Sequence, residues 1–305
     1  MKTQVGTDVV LSDVHVSYSA DTTDSEGFVL SEYRIGEATV LRIRHALATQ
    51  LNDVGMQIWA GAMVLAELIL ADRADIQICG QHILELGAGT GLVSLCAAVA
   101  GAKSVVASDI AENMVLSLLH RNVLENNLAQ TVTVRHIDLT DDNCVLFSAS
   151  DLEPISNLIY EFKFSKLDFE LFQSNCSIIL AADIVYLDLV TYYLVKRLPQ
   201  LLLKRNGGWE SRTLFLSLEK RVQFSIQECA VTVPAWDFLL KTVKAMNADL
   251  TERITDDCAD LAPDFPDIQI RMEQVDLTGV PQLFTVYERV KELEVWKFDL
   301  IFLNI

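Results

Sequence analysis

The chain has 305 residues, 51% hydrophobic, 22% charged and 8% aromatic, which provides for a large core and excludes a globally disordered chain. A formal net charge of −18 argues against direct nucleic-acid binding, which depends on neutralising phosphates. The same charge suits a basic protein segment as partner, although it also does no more than keep a protein in solution.

The first eleven residues carry one Lys and no apolar h-region, so they do not read as a secretory signal. No stretch reaches the roughly 18 apolar residues that cross a bilayer, so no membrane partner is expected. A nuclear or cytoplasmic location, or both, is expected. Residues 1–37, with a polar stretch at Ser19–Glu26, read as a loosely ordered arm. Val40–Arg44 alternates apolar and charged residues as a half-buried strand does. Residues 1–50 are therefore taken as an N-terminal arm and strand, and 51–305 as the main domain. Helical spacing follows in Trp59, Met63, Ala66 and Leu68.

From residue 81 strands and helices alternate. Ile83–Leu86, Ser104–Ser108, Thr131–Ile137, Ile178–Ala182 and Thr213–Leu218 read as strands. Leu92–Ala100, Glu112–Glu125, Leu189–Leu203 (bent or ended near Pro199) and Pro234–Met246 read as helices. Residues 140–175 read as an insertion or long loop with a short helix and an aromatic cluster (Tyr160, Phe162, Phe164, Phe169, Phe172) that packs it. Asp256–Asp267 is acidic and loop-like. Ile268–Val275 and Gln282–Glu288 read as two closing strands without a helix between them. This order predicts an α/β fold with a doubly wound, mostly parallel sheet and an antiparallel C-terminal hairpin at its edge.

Six cysteines without a CxxC pair read as reduced, mostly buried thiols, and five histidines without an HxxxH pair make a zinc site unexpected. The strongest motif is Glu85-Leu-Gly87-Ala88-Gly89-Thr-Gly91, set between a strand and a helix. Bare backbone there turns sharply and lets a ligand approach closely. No Lys-Ser or Lys-Thr follows, which excludes a P-loop, and the third glycine comes one residue early for a dinucleotide fingerprint. The spacing suits a nucleoside bearing an amino-acid tail. Asp109, about 20 residues on, stands where a carboxylate accepts both hydroxyls of a ribose.

Ile83–Leu92 resembles the first motif of the seven-strand, Rossmann-like class I methyltransferases, which have a seven-stranded sheet. Val54–Trp59, Asp183-Ile-Val-Tyr186, Leu216–Arg221 and Val286–Arg289 are similar to stretches of the family 16 protein lysine methyltransferases. The resemblance implies S-adenosylmethionine as cofactor and a lysine side chain of a protein as methyl acceptor. It implies that Trp59 borders the methionine end, that Gly87–Gly91 wraps it, and that Asp109 holds the ribose. The adenine is expected near Asp138 and Leu139, where the family often has Trp, and Ala182 beside the cofactor. Asp183 and Tyr186 are expected to face the lysine. Chaperone-type or nucleic-acid-associated proteins are among the acceptors it admits.

Neutralising a lysine of pKa about 10.4 at pH 7 costs roughly 4.6 kcal/mol, which desolvation beside a cationic sulfonium lowers. Asp183 at an ordinary carboxylate pKa is too weak a base. Its expected task is to aim the ammonium while water takes the proton, with Tyr186 offering a hydroxyl and a cation–π face. Glu85 either braces the loop or touches the cofactor. Glu219, Lys220 and Arg221 read as a solvated strand exit. Two other functions remain open: a small-molecule methyltransferase on the same cofactor site, marked by a closed aromatic pocket, and a catalytically silent adaptor of the same fold.

Overall fold

Strands that are apolar without alternation need cover on both faces. The computed structural model describes residues 9–14, 23–111, 114–147, 162–205, 208–225, 230–255 and 266–303. Tyr160, His15, Cys229, Cys258, residues 19–22 of the polar stretch and residues 256–265 of the acidic stretch lie outside the described residues.

Two early strands, β1 (Val29–Ile35) and β2 (Thr39–His45), form an antiparallel hairpin. The arm expected over residues 1–37 is thus partly strand. Val29, Ser31 and Tyr33 are buried on one side of β1, a period of two hidden in sequence by the polar residues between them. Leu41 and Ile43 of β2 join the main core. A short ladder pairs Val10–Leu11 with Ala48–Thr49.

The remaining elements are α1 (Ala60–Leu70), β3 (His82–Leu86), α2 (Leu92–Val99), β4 (Ser104–Asp109), α3 (Val115–Glu125), β5 (Val132–His136) and α4 (Lys166–Ser174). They continue with β6 (Cys176–Ala182), α5 (Asp188–Leu202), β7 (Thr213–Glu219), α6 (Pro234–Thr255), β8 (Ile268–Gln274) and β9 (Leu293–Phe302). Seven strands make one sheet in the order β8-β9-β7-β6-β3-β4-β5. From β5 to β7 every neighbouring pair is parallel, and β9 runs antiparallel to both β7 and β8. The doubly wound, mostly parallel sheet is therefore present. The chain winds outward from β3 to β5 and returns to place β6 on the other side of β3. That reversal opens a crevice beyond the carboxyl ends of β3 and β6, where open α/β sheets hold ligands.

Burial follows a period of two within the apolar runs. Ile83, Leu180 and Phe215 face α1, α2 and α3, whereas Leu84, Ile179 and Leu214 face α5 and α6. Each fully buried Leu, Ile or Phe contributes roughly 1.5–3 kcal/mol. The stretch Leu51–Leu70 is long and apolar enough to cross a bilayer, contrary to the reading from sequence, but 67% of its most apolar window is buried within the fold. Cys96, Cys144 and Cys176 are buried thiols, while Cys79 is exposed.

Two expectations change. Gln282–Glu288 is not a strand; the second closing strand is β9, which pairs antiparallel with the edge strand β8 as the expected C-terminal hairpin and also adjoins β7. The carboxylate of Glu67, fully buried in α1, accepts from the backbone of Leu283 (2.6 Å) and Phe284 (2.8 Å) and from the side chains of Tyr287 and Arg289. Donors that a strand would give to a neighbour are thereby drawn to a side chain. The helix expected at Pro234–Met246 runs on to Thr255, and Pro199 lies inside α5 without ending it.

The insertion has the short helix, α4, begun by a capping box between Ser165 and Asp168. Phe162, Phe164 and Phe172 are buried packing residues. Arg212 is wholly buried on β7's approach. It donates to the carbonyls of Phe172 (2.8 Å), Leu201 (3.0 Å) and Cys176 (3.1 Å), tying α4, α5 and β6 together. Burial lowers its pKa to about 10, so the guanidinium stays charged at neutral pH.

Candidate active site

An open cleft enclosing about 1140 Å³, solvent space included, occupies the crevice past β3 and β6. Its floor is the turn after β3. Gly87, Gly89 and Gly91 have φ of +66°, +52° and +89°, values that L side chains rarely adopt. A Cβ at Gly89 would stand 2.8 Å from the carbonyl oxygen of Gly55, so the 3-10 turn Leu51–Met56 packs directly on the loop. Gly91 starts α2 beneath Leu119 and does not line the cleft. The N–H groups of Ala88, Gly89 and Gly91 already donate to Ser108 O, Asp109 Oδ2 and Ala88 O. The loop therefore shapes space more than it offers those donors.

Asp109 ends β4 opposite the loop. Its Oδ2 accepts from Gly89 N at 2.7 Å and its Oδ1 from Ile110 N at 2.8 Å. The carboxylate is fixed at the border of the cleft. Glu85 is buried, takes a hydrogen bond from Ser94 Oγ on α2, and borders the cleft. Burial pushes its carboxyl up to about 8, against the pull of Ser94. The bracing role is thus visible, and so is a cleft-facing position. Asn122, fully buried on α3, donates to the carbonyls of Thr90 and Arg44 at 2.9 Å each, locking loop and hairpin to one helix.

The other end of the cleft belongs to β6, β7 and the start of α1. Ala182, Asp183 and Tyr186 all line it. Asp183 sits at φ +52°, a strained left-handed backbone that Asp tolerates better than most residues. Its Oδ2 accepts from Gly61 N at 2.7 Å and its Oδ1 from Glu219 N at 3.2 Å. Burial, and next the charge of Asp13, raise its carboxyl to about 6, partly offset by these N–H groups and by Arg221. The premise of an ordinary pKa at Asp183 therefore does not hold. Trp59 caps α1, donates from Nε1 to Val54 O at 2.9 Å, and carries Arg221 over its ring at 5.0 Å.

Sequence reasoning passed over Asp13 and Gly61 as site residues and read Glu219 and Arg221 as a solvated strand exit. Glu219 and Arg221 line the cleft, whereas Lys220 between them points away, to Glu294 at 2.6 Å and over Trp236 at 4.1 Å. Strand alternation was the available signal. Asp13 had none. Its Oδ1 accepts from Ala60 N at 2.9 Å, and its side chain hydrogen-bonds that of Glu219. That bond first, then burial and the charges of Asp13 and Asp183, raise Glu219 to about 7. Asp138 and Leu139 do not line the cleft. Asp138 accepts from Thr140 N and Oγ1, and Leu139 is buried in the core beside α5 and α6. Among the described residues no group of His, Cys, Asp and Glu is set to hold a metal.

A family model described as lysine methyltransferase matches residues 37–167. Methyltransferase-like protein 22 of Homo sapiens is 35% identical over 268 residues, covering 85% of this chain and 57% of that protein. Its Mus musculus counterpart is 31% identical over 87% of this chain and 61% of its own length. The chain thus spans about three fifths of these two relatives. Protein N-lysine methyltransferase METTL21A of Danio rerio is 30% identical over 195 residues, covering 61% of this chain and 76% of that protein. With this extent of similarity on both sides, the chain belongs to the lysine methyltransferase family.

Proposed function

We propose that this chain binds S-adenosylmethionine in the cleft and transfers its methyl group to a lysine side chain of another protein. The observation that carries the reading is one continuous cleft at the sheet's switch point. It joins the glycine turn and Asp109 at one end to Asp183, Tyr186 and Glu219 at the other. The residues fit the cofactor by their chemistry. A fixed carboxylate suits a ribose diol, and bare backbone leaves room for the amino-acid tail. Carboxylates near an aromatic ring suit a cationic centre. When bound, S-adenosylmethionine supplies the activated methyl group.

The chain's own residues align and polarise. Asp109 would hold the ribose, Gly87 to Gly89 would give way to the methionine end, and Ile110 and Val115 line the wall open to the adenine. Ala182 and Trp59 would flank the sulfonium. Asp183 and Tyr186 would receive the lysine. Tyr186 lines the cleft and remains 42% exposed, an open edge that favours a protein acceptor over an enclosed small molecule. The relatives named as protein-lysine methyltransferases support the same reading. A lysine in a basic segment fits the charge of −18.

Calorimetry with S-adenosylmethionine and transfer of radiolabelled methyl groups into an unfractionated protein extract test this together. Binding and lysine labelling are expected for the wild type. Asp183→Ala is expected to keep binding and lose labelling. A titration without heat at saturating cofactor, or equal labelling by the variant, would sink the reading.

A further inference from the structure

Resting on the lysine-transfer reading, we propose that Glu219, paired with Asp13, is the base that takes the proton from the substrate's ammonium group. Asp183 is the residue that the motif points to, but each of its oxygens accepts a backbone N–H, from Gly61 and from Glu219, which favours its ionised form. It serves as a fixed anion that aims the amine. Glu219 differs: its carboxyl borders the cleft, and its side-chain bond is to another carboxyl, that of Asp13.

Two carboxyls hydrogen-bond only by sharing a proton. Asp13 accepts from Ala60 N in the first turn of α1, where a helix favours negative charge. That contact holds the Asp13 carboxyl at the start of α1 and leaves Glu219 as the member of the pair that borders the cleft. The charged groups facing Glu219 are Asp13 from the N-terminal segment, Asp183 from the end of β6 and Arg221 from its own strand exit; Lys220 is turned away to Glu294. Three carboxylates against one guanidinium leave the resting pocket acidic, and its upward-shifted Glu219 is half-protonated near neutrality.

The proton then follows a closed cycle. Arrival of the ammonium expels the shared proton to solvent, because the added positive charge favours the ionised pair. One N–H bond of the ammonium breaks, its electron pair stays on nitrogen, and an O–H bond forms at Glu219. The amine now has the lone pair that methyl transfer needs, and the pair has regained its shared proton. One proton is released per methyl group transferred. Asp13 is a positioning residue here, since it sets where Glu219 titrates without touching the substrate.

Infrared difference titration of the full chain, with and without S-adenosylmethionine, reads the protonated carboxyl directly. Beside the bands of Asp183 and Glu85, one carboxyl band titrating near pH 7 is expected in the wild type and is expected to be missing from the Glu219→Gln spectrum. Asp13→Asn keeps a donor to Glu219 and removes the like charge, so its band is expected to titrate at lower pH. In parallel, methyl labelling of extract protein by wild type is expected to rise through neutrality. Glu219→Gln should fall about a hundredfold and lose that rise, with calorimetric cofactor affinity unchanged. In Asp13→Asn the rise should move to lower pH, which a merely structural role would not produce. Wild-type rates and profile in Glu219→Gln, an unmoved midpoint in Asp13→Asn, or no band that Glu219→Gln removes overturn the assignment of Glu219. Absence of cofactor heat or of lysine label in the wild type overturns the lysine-transfer reading and this inference with it.

Discussion

Gly61 shows how little space separates an aimed carboxylate from a displaced one. A Cβ there would lie 2.3 Å from Asp183 Oδ2. Its backbone needs no left-handed conformation, and the three atoms nearest that Cβ all belong to the Asp183 carboxylate, so the cost of a side chain falls first on Asp183. Gly61→Ala is expected to lower methyl transfer about a hundredfold by shifting Asp183, while cofactor affinity measured by calorimetry stays at the wild-type level. Glu85 gives a prediction about stability. Its folded pKa of about 8 exceeds its ordinary value, so between pH 4.5 and 8 the folded state holds a proton that the unfolded state has lost. Stability of the cofactor-free protein should therefore fall as pH rises through that window, by on the order of 4 kcal/mol, and Glu85→Gln should flatten that part of the urea-unfolding profile. At this scale the sequence was legible where a motif concentrates unusual residues, as at Gly87, Gly89, Asp109 and Asp183. It was silent on Asp13, because a lone acid in a polar arm has no local pattern; only the fold brings it to Glu219.

At the scale of elements, Glu67 does for the segment after β8 what a neighbouring strand would otherwise do. One buried carboxylate holds two backbone N–H groups, a phenol and a guanidinium. Glu67→Ala leaves Arg289 without its buried partner and frees both amides, so a loss of about 3–5 kcal/mol is expected in chemical denaturation. Hydrogen exchange at Leu283 and Phe284 should accelerate at the same time, and unchanged protection there would show that the pin is dispensable. Gln282–Glu288 looked like a strand because apolar and polar residues mix within it, and periodicity cannot see a carboxylate more than two hundred residues away. The helices and the parallel strands were readable for the converse reason. Their signals, such as Leu92–Val99 or Ile178–Ala182, are long, local and repeated by packing on both faces.

Across the whole molecule the acidic excess and the open rim act together. A basic acceptor segment is expected to bind more weakly as ionic strength rises, with KM increasing severalfold and kcat nearly constant, because screening weakens encounter but not the enclosed pocket. A salt-independent KM would show that contacts other than charge select the substrate. The winding order was legible in the alternation of strands and helices, and with it the place of the cleft. The position of β9 was not, since nothing in Leu293–Phe302 says that it enters between two strands already in place. That insertion bears on how the chain is made. Until residues 293–302 leave the ribosome, β7 has one hydrogen-bonding flank bare, and β8 has no neighbour at all. A polypeptide halted before that point would present an adhesive ribbon of Leu214, Leu216 and Leu218 to its surroundings, which makes the interval between the two events the period of greatest need for a holding chaperone.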